Sequence, residues 1–352
     1  LKSSQTRSLK IKILAYVHRY RGMNRNAGGE VSIHALLRHL NAAGHQCVAL
    51  VAEPTEAPSY HLDGVGVITT NSPAEIKAAP VEYFHGADVV VTQLNSSYRA
   101  GILGRMVGTP VVHYAHNTGP FTTRMVGGQC DAAIYNTEWV RRHCESQGIW
   151  TPGEILRPVV DPAEYATPNT RARRHITLVN LSTGDDGLYD KGYQTFFELA
   201  RRNPDLPFLA VRGAYGIQAY EPLPNVTYLD HTNDITEVYK RTKVLLVPSR
   251  YESYGRVAVE AAASGIPSIC TPTEGLVEAM QGSAAYAEYG DYDAWNDRLS
   301  YVLGDLSTVS GYAKERSAFL HTQTRQELEA VDLMFQIIHE GGLQDFYDYK
   351  QR

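Results

Sequence analysis

Glu252 and Glu260 are carboxylates separated by seven residues in the segment KVLLVPSRYESYGRVAVEAAASGIPSIC, positions 243–270. Val244–Val247 reads as a buried strand ended by Pro248. An Ala-rich helix is expected from about Tyr254 to Ser264, stopped by Gly265 and Pro267. A strand feeding a helix places the loop between them at the carboxyl edge of a parallel sheet, where open α/β sheets bind ligands. Two carboxylates at that edge suggest a ligand rich in hydroxyls. Gly28-Gly29 stands directly before a second expected helix, Val31–Ala43, which stops at Gly44. Glycine admits close backbone approach, and the first amides of a helix are unpaired donors at its positive end. A diphosphate is a natural partner for such a turn. Lys191-Gly192 precedes a third, amphipathic helix, where an ammonium can neutralise phosphate. Taken singly, each pattern has a plainer reading, as a turn or a solvated helix face.

The elements that must position these residues form two α/β halves. In the first, Ile11–Val17, Cys47–Val51, Val89–Thr92, Val111–His113 and Ala132–Tyr135 read as strands. In the second, Ile176–Val179, Phe208–Val211, Val226–Leu229, Val244–Val247 and Ser268–Cys270 do. Strands alternating with helices argue for doubly wound parallel sheets. The Pro-rich, charged stretch RPVVDPAEYATPNTRARR suits a linker, with a boundary near 160–172. The segment Gln326–His339 has helical periodicity. A chain of 352 residues exceeds what one core usually serves. Its net charge of −5 leaves no global nucleic-acid footprint. Cys47, Cys130, Cys144 and Cys270 are scattered and read as reduced thiols. No stretch reaches transmembrane length, and a cytoplasmic location is expected. The polar opening LKSSQTRSLK reads as a flexible leader or a vector-derived remnant.

With Pro248, Ser249, the run ESYGRVAVEAAASGIP and the later GLVE at Gly275–Glu278, this region resembles the E-x7-E region of retaining glycosyltransferases that use nucleotide sugars. The resemblance is to family 4, the glycosyl transferases group 1, of the GT-B fold. It implies two Rossmann-like doubly wound domains facing across a cleft. An acceptor domain would span 1–165 and a donor domain 166–333, with a terminal helix of about 334–352 packing back on the first. It implies hexose transfer from a UDP-glucose or GDP-mannose type donor to a hydroxyl acceptor, whether glycan, lipid, protein or nucleic acid. His116, Glu252 and Lys191 would be catalytic. Gly28, Gly29, Arg212, Ser253, Tyr254, Gly255, Arg256, Val257 and Glu260 would bind donor, the loop largely through its amides. Glu252 would meet sugar hydroxyls and Glu260 the ribose. Asn117 is a candidate donor or acceptor contact, and Asn136 occupies a cleft-edge position.

Two features depart from that pattern or compete with it. Members of the family commonly carry Gly-Arg after the first strand of the second half, where this chain has Asn180-Leu181. Arg212 or Arg256 could replace that arginine. His18, Arg19, Arg21 and Arg25, with Tyr20 interleaved, could meet an anionic acceptor or a nucleic acid. The rival functions are therefore a glycosyltransferase acting on modified nucleic acid and a catalytically inactive carbohydrate-binding protein. Asp291-Tyr292-Asp293 is formally a metal-binding D-x-D, but it opens a helix, where Asp is a favoured cap. No metal and no other cofactor is expected.

Overall fold

The computed structural model describes residues 10–22, 27–71, 80–184, 189–214 and 216–351. Short apolar runs form two sheets in two compact units, one made of Leu1–Val159 with Thr324–Arg352 and the other of Val160–Gln323. The sequence reading drew its domains at 1–165 and 166–333, with about 334–352 returning to the first.

In the first unit, β1 (Lys12–Val17), β2 (Gln46–Val51), β3 (Tyr60–Leu62), β4 (Val65–Ile68), β5 (Val89–Gln93), β6 (Val111–Ala115), β7 (Ala132–Tyr135) and β8 (Gly153–Ile155) pair in the order β3-β4-β2-β1-β5-β6-β7-β8. All neighbours are parallel except the β3–β4 hairpin. Successive β1 side chains enter opposite cores. Ile13, Ala15 and Val17 pack with Leu36 and Leu37, while Leu14 and Tyr16 pack with Phe84 and Ala100. Helices therefore cover both faces, which is why the strands are apolar almost throughout. β3 and β4 escaped the sequence reading because they are short, three and four residues, and His61 and Gly66 interrupt their apolar runs. The Asp63-Gly64 turn that joins them, with both φ positive (49° and 83°), was the available signal.

The terminal helix, Leu306–Gln351 with a break at Gly342, contributes Leu328, Val331, Phe335 and Ile338 to the first unit's core. His45 fixes it there. Its Nδ1 accepts from the Ile11 amide at 3.2 Å, and its Nε2 lies 2.7 Å from Asp332. Arg157 and Glu327 pair beside it.

The second sheet contains β9 (His175–Val179), β10 (Phe208–Val211), β11 (Val226–Leu229), β12 (Thr242–Val247), β13 (Ser268–Cys270) and β14 (Ala285–Tyr286). Its order is β11-β10-β9-β12-β13-β14, and all pairs are parallel. β9 and β12 are neighbours, so the loops carrying Lys191 and Glu252 leave the sheet side by side.

One buried group opposes this order. His113 on β6 is wholly buried, and neither ring nitrogen has a hydrogen-bond partner among the described residues. Burial, with a smaller contribution from His116, pushes its pKa down to about 3. The folded imidazole therefore stays neutral where the unfolded one, with its ordinary value near 6.5, takes a proton. Stability should be full above that pH and fall as the pH drops toward 3, by at most about 1.4 kcal/mol per pH unit from this group. His113→Phe should flatten the decline between pH 6.5 and 4.5 and raise Tm at neutral pH, because an orphaned buried polar group costs about 1–3 kcal/mol. Thermal melts across that range measure both effects.

Candidate active site

Lys191 and Glu252 meet although they are 61 positions apart, with Nζ 2.5 Å from Oε1. Gly192 makes this approach possible. Its φ is +76°, and a side chain there would strike the Pro248 carbonyl at the end of β12. The β9 loop thus lies directly on the β12 loop. Ser249 donates to the same Glu252 oxygen at 3.0 Å. Oε2 has no hydrogen-bond partner among the described residues. Gly275 closes the opposite side, because a Cβ there would collide with the backbone of Glu252 and Ser253. The GLVE motif is therefore a close-packing device. Thr273 caps its helix and donates to the Glu252 carbonyl at 3.4 Å. Lys191 and Glu252 retain 24% and 16% side-chain exposure, so the pair is sheltered yet reachable.

The next helix, Arg256–Ala263, starts at Gly255 as its N-cap. Its first residues, Arg256 and Val257, belong to the expected donor loop. Tyr254 is buried in the core, and Val257 and Ser253 are partly buried, so Tyr254 can serve a ligand only through its backbone. Glu260 is 6% exposed. Arg256 Nε donates to its Oε1 at 2.6 Å, and the Tyr239 hydroxyl donates to its Oε2 at 2.8 Å. A carboxylate offers about four lone-pair sites, so each oxygen keeps capacity for one more donor. Arg256 also donates to the Tyr165 hydroxyl at 2.9 Å, which makes it first of all the internal partner of Glu260. Burial and the Glu260 carboxylate hold the Tyr239 phenol protonated. Neither Tyr165 nor Tyr239 stood out in the sequence.

The departure at Asn180-Leu181 has a structural form. Asn180 adopts φ +77°, the left-handed conformation that Asn tolerates better than most residues, and Leu181 is fully buried. Arg212 is exposed and paired with Asp230 at 3.0 Å. The D-x-D is a helix cap. Asp291 accepts from the Ala294 amide at 3.0 Å, and Asp293 pairs with Arg202. No group of three or more His, Cys, Asp or Glu among the described residues could hold a metal ion.

In the first unit, Gly28 and Gly29 are the first residues of the helix Gly28–Ala42, not residues before it. Neither has a positive φ. A Cβ on Gly28 would meet nothing within 4 Å, and one on Gly29 would stand 3.5 Å from Gln93. Folding does not require glycine at either position. His116, just past β6, lies 2.7 Å through Nε2 from Gln93 Oε1, and burial lowers its pKa to about 4. Asn136 donates to the His116 carbonyl at 3.1 Å. Sequence reasoning missed Gln93, whose only signal was a polar residue at a strand's carboxyl end. Asn117 is occupied differently from expectation. Its oxygen accepts from the Gly119 amide at 2.9 Å and from the Thr122 hydroxyl at 2.7 Å, which ties the side chain to the entry of the following helix.

The basic loop also differs from its reading. Arg19 and His18 both face Glu53, and the Arg19 guanidinium holds that carboxyl below its ordinary range. Tyr20 is wholly buried, its hydroxyl 2.9 Å from His34, so it cannot stack on a base. Arg21 is partly buried, and its carbonyl accepts from Tyr60 at 2.5 Å. Arg25 lies outside the described residues.

Residues 191–315 match the family model described as glycosyl transferases group 1. The chain is similar to a D-inositol 3-phosphate glycosyltransferase of Corynebacterium urealyticum, 36% identical over 197 residues that cover 48% of this chain and 46% of the relative. It thus spans about half of that relative's length. Among solved structures, sucrose-phosphate synthase from Thermosynechococcus elongatus superposes with a TM-score of 0.70 at 16% identity, covering 97% of this chain and 98% of that one. Anabaena HepE in complex with UDP-glucose gives 0.72 at 14%, covering 92% and 98%. These likenesses establish the GT-B fold, built of two Rossmann-like domains. No helix among the described residues is long and apolar enough to cross a membrane.

The glycines divide into two kinds, and the division is measurable. Gly192→Ala should lower Tm, since the left-handed conformation alone costs a side chain roughly 1–2 kcal/mol and the Pro248 carbonyl adds a clash. Gly29→Ala should leave Tm unchanged or raise it by up to about 1 kcal/mol in equivalent stability, because Ala suits a helix better. Melting of the ligand-free variants distinguishes the two.

Proposed function

We propose, from the match of residues 191–315 to the glycosyl transferases group 1 family model, that the chain transfers a hexose from a nucleoside diphosphate sugar to a hydroxyl acceptor, with retention of anomeric configuration. UDP-glucose is the leading donor and GDP-mannose the second. The observation that carries this reading is the sheltered Lys191–Glu252 pair at the carboxyl ends of two adjacent parallel strands.

Cleavage of the anomeric C–O bond sends negative charge onto the departing diphosphate while the sugar gains oxocarbenium character. The Lys191 ammonium and the amides heading the Arg256–Ala263 helix receive that charge. An ammonium has three protons, so Lys191 can keep Glu252 and still bind phosphate. Glu252 Oε2 accepts from sugar hydroxyls, and the remaining lone pairs of Glu260 accept from the ribose. In front-face attack the acceptor oxygen bonds the anomeric carbon as the phosphate leaves, and its proton passes to a phosphate oxygen. That step needs no protein base and no metal or other cofactor. His116 serves as a neutral acceptor for a sugar hydroxyl. Gly28 and Gly29 keep a backbone surface open to the ligand, which accounts for glycine where the fold does not demand it. A phosphorylated polyol suits the acceptor, since a similar protein is named for D-inositol 3-phosphate and Arg21 lies in the loop beside Arg19. We favour it over nucleic acid because Tyr20 is buried. A cytoplasmic location fits four free cysteines, three of them buried.

Millimolar UDP-glucose, UDP or GDP-mannose should raise Tm by mass action. A melt that moves with none of them sinks the proposal. Glu252→Ala should cut turnover roughly 10²–10³-fold while UDP affinity changes little. Glu260→Ala should weaken UDP binding, since charge-assisted hydrogen bonds are worth about 1.5–3 kcal/mol. Calorimetry on folded protein separates the two roles. Donor turnover should survive EDTA and the double change Asp291→Asn with Asp293→Asn. Activity lost to EDTA, restored by Mn²⁺ and absent in that double variant would overturn the metal-independent mechanism.

A further inference from the structure

We propose that Gln93 is a positioning residue for His116, fixing the plane and the tautomer of its imidazole. This rests on the transferase reading only for the use made of His116, not for the geometry. Gln93 closes β5 and is 3% exposed. The chain turns sharply after it, because Leu94 adopts φ +48°. β5 lies directly beside β6, and Gln93 is in register with Tyr114. That register puts its amide at the start of the loop that carries His116.

Contacts to the ring and to its backbone hold His116 in place. Gln93 Oε1 meets Nε2 at 2.7 Å, the Tyr114 ring lies 4.2 Å from it at a tilt of 39°, and Asn136 anchors the His116 carbonyl. Ring edge, ring face and backbone are each held. An amide oxygen can only accept, so the ring proton sits on Nε2 and Nδ1 can only accept. The Gln93 amide also lies against the first turn of the Gly28–Ala42 helix, where the Cβ that Gly29 lacks would stand 3.5 Å from Nε2 and 3.7 Å from Oε1. One side chain thus joins the glycine turn to the histidine. Burial keeps the ring uncharged, and the titratable neighbour His113 is held neutral too. A neutral ring of fixed tautomer can accept from a sugar hydroxyl without placing positive charge beside a carbon that is becoming cationic.

The test has two readouts. Long-range ¹H–¹⁵N correlation of the imidazoles at pH 7, assigned with His116→Gln, should show His116 protonated on Nε2 in the unaltered chain. The same experiment should show that preference lost in Gln93→Leu and kept in Gln93→Glu, which still accepts. Hydrolysis of UDP-glucose should fall about 10–100-fold in kcat in Gln93→Leu, with KM changed less than about threefold, as expected when a reacting group is misplaced but binding is not. Gln93→Glu should keep the proton on Nε2 but recover only part of the turnover, because a carboxylate against the ring favours the imidazolium. A proton on Nδ1 in the unaltered chain, or a Gln93→Leu variant with the same tautomer and the same kcat, overturns the proposal. If Gln93→Leu does not fold, the tautomer of the unaltered chain and of Gln93→Glu still decides. If UDP-glucose is neither bound nor hydrolysed by the unaltered chain, the transferase reading fails, while the spectra still judge Gln93.

Discussion

The second unit's chemistry depends on how closely two loops can lie. Lys191 follows β9 and Glu252 follows β12, and neighbouring strands bring their ends within about 5 Å. The remaining distance is closed only because Gly192 has no side chain to hold the loops apart at Pro248. Gly275 performs the same service on the far side, letting a helix start against the Glu252 backbone. The carboxylate is thus clamped between two glycine contacts, and Ser249 and Lys191 settle which of its oxygens is used. Charge placement here follows from backbone packing, with side-chain hydrogen bonds refining it.

The first unit works by a different economy. Gly28 and Gly29 sit in a helix where alanine would fit and would hold the helix better. Around them the structure is stiff: Gln93 is buried, Leu94 is strained, and His116 is held on three sides. A permissive surface is framed by immobile groups, which lowers the ordering cost of whatever docks there.

Much of this was legible in the sequence wherever one residue type carried the signal. Long apolar runs marked the central strands, and the segment around Glu252 and Glu260 marked the sheet edge. The helix that begins at Pro120 was in principle readable after Asn117, because Pro favours the first helical turn. What escaped depends on register. Gln93 has meaning only because β5 neighbours β6. Tyr239 matters only because a short helix brings it to Glu260. Tyr20, polar in type and set among arginines, reads as a surface residue until His34 is seen to take its hydroxyl, with Asp63 on that ring's other nitrogen. Pairings of this kind are set by topology, and no local spacing announces them.

Asn180 and Leu181 show how such a site becomes locked. The left-handed backbone at Asn180 is one that glycine would adopt readily. Its side chain packs over Gly213 and accepts from the Ser182 amide at 3.0 Å, so the bend is tied down from two directions. Leu181 then points into the core beside Phe196. An arginine written into that position would have to bury a guanidinium with no partner waiting for it, at a cost of several kcal/mol. Restoring a cation at this point of the sheet edge is therefore not one substitution away. It would require the loop to be rebuilt so that the residue after the bend faces outward, and every variant on the way would carry a charge in the core or a hole where the leucine had been.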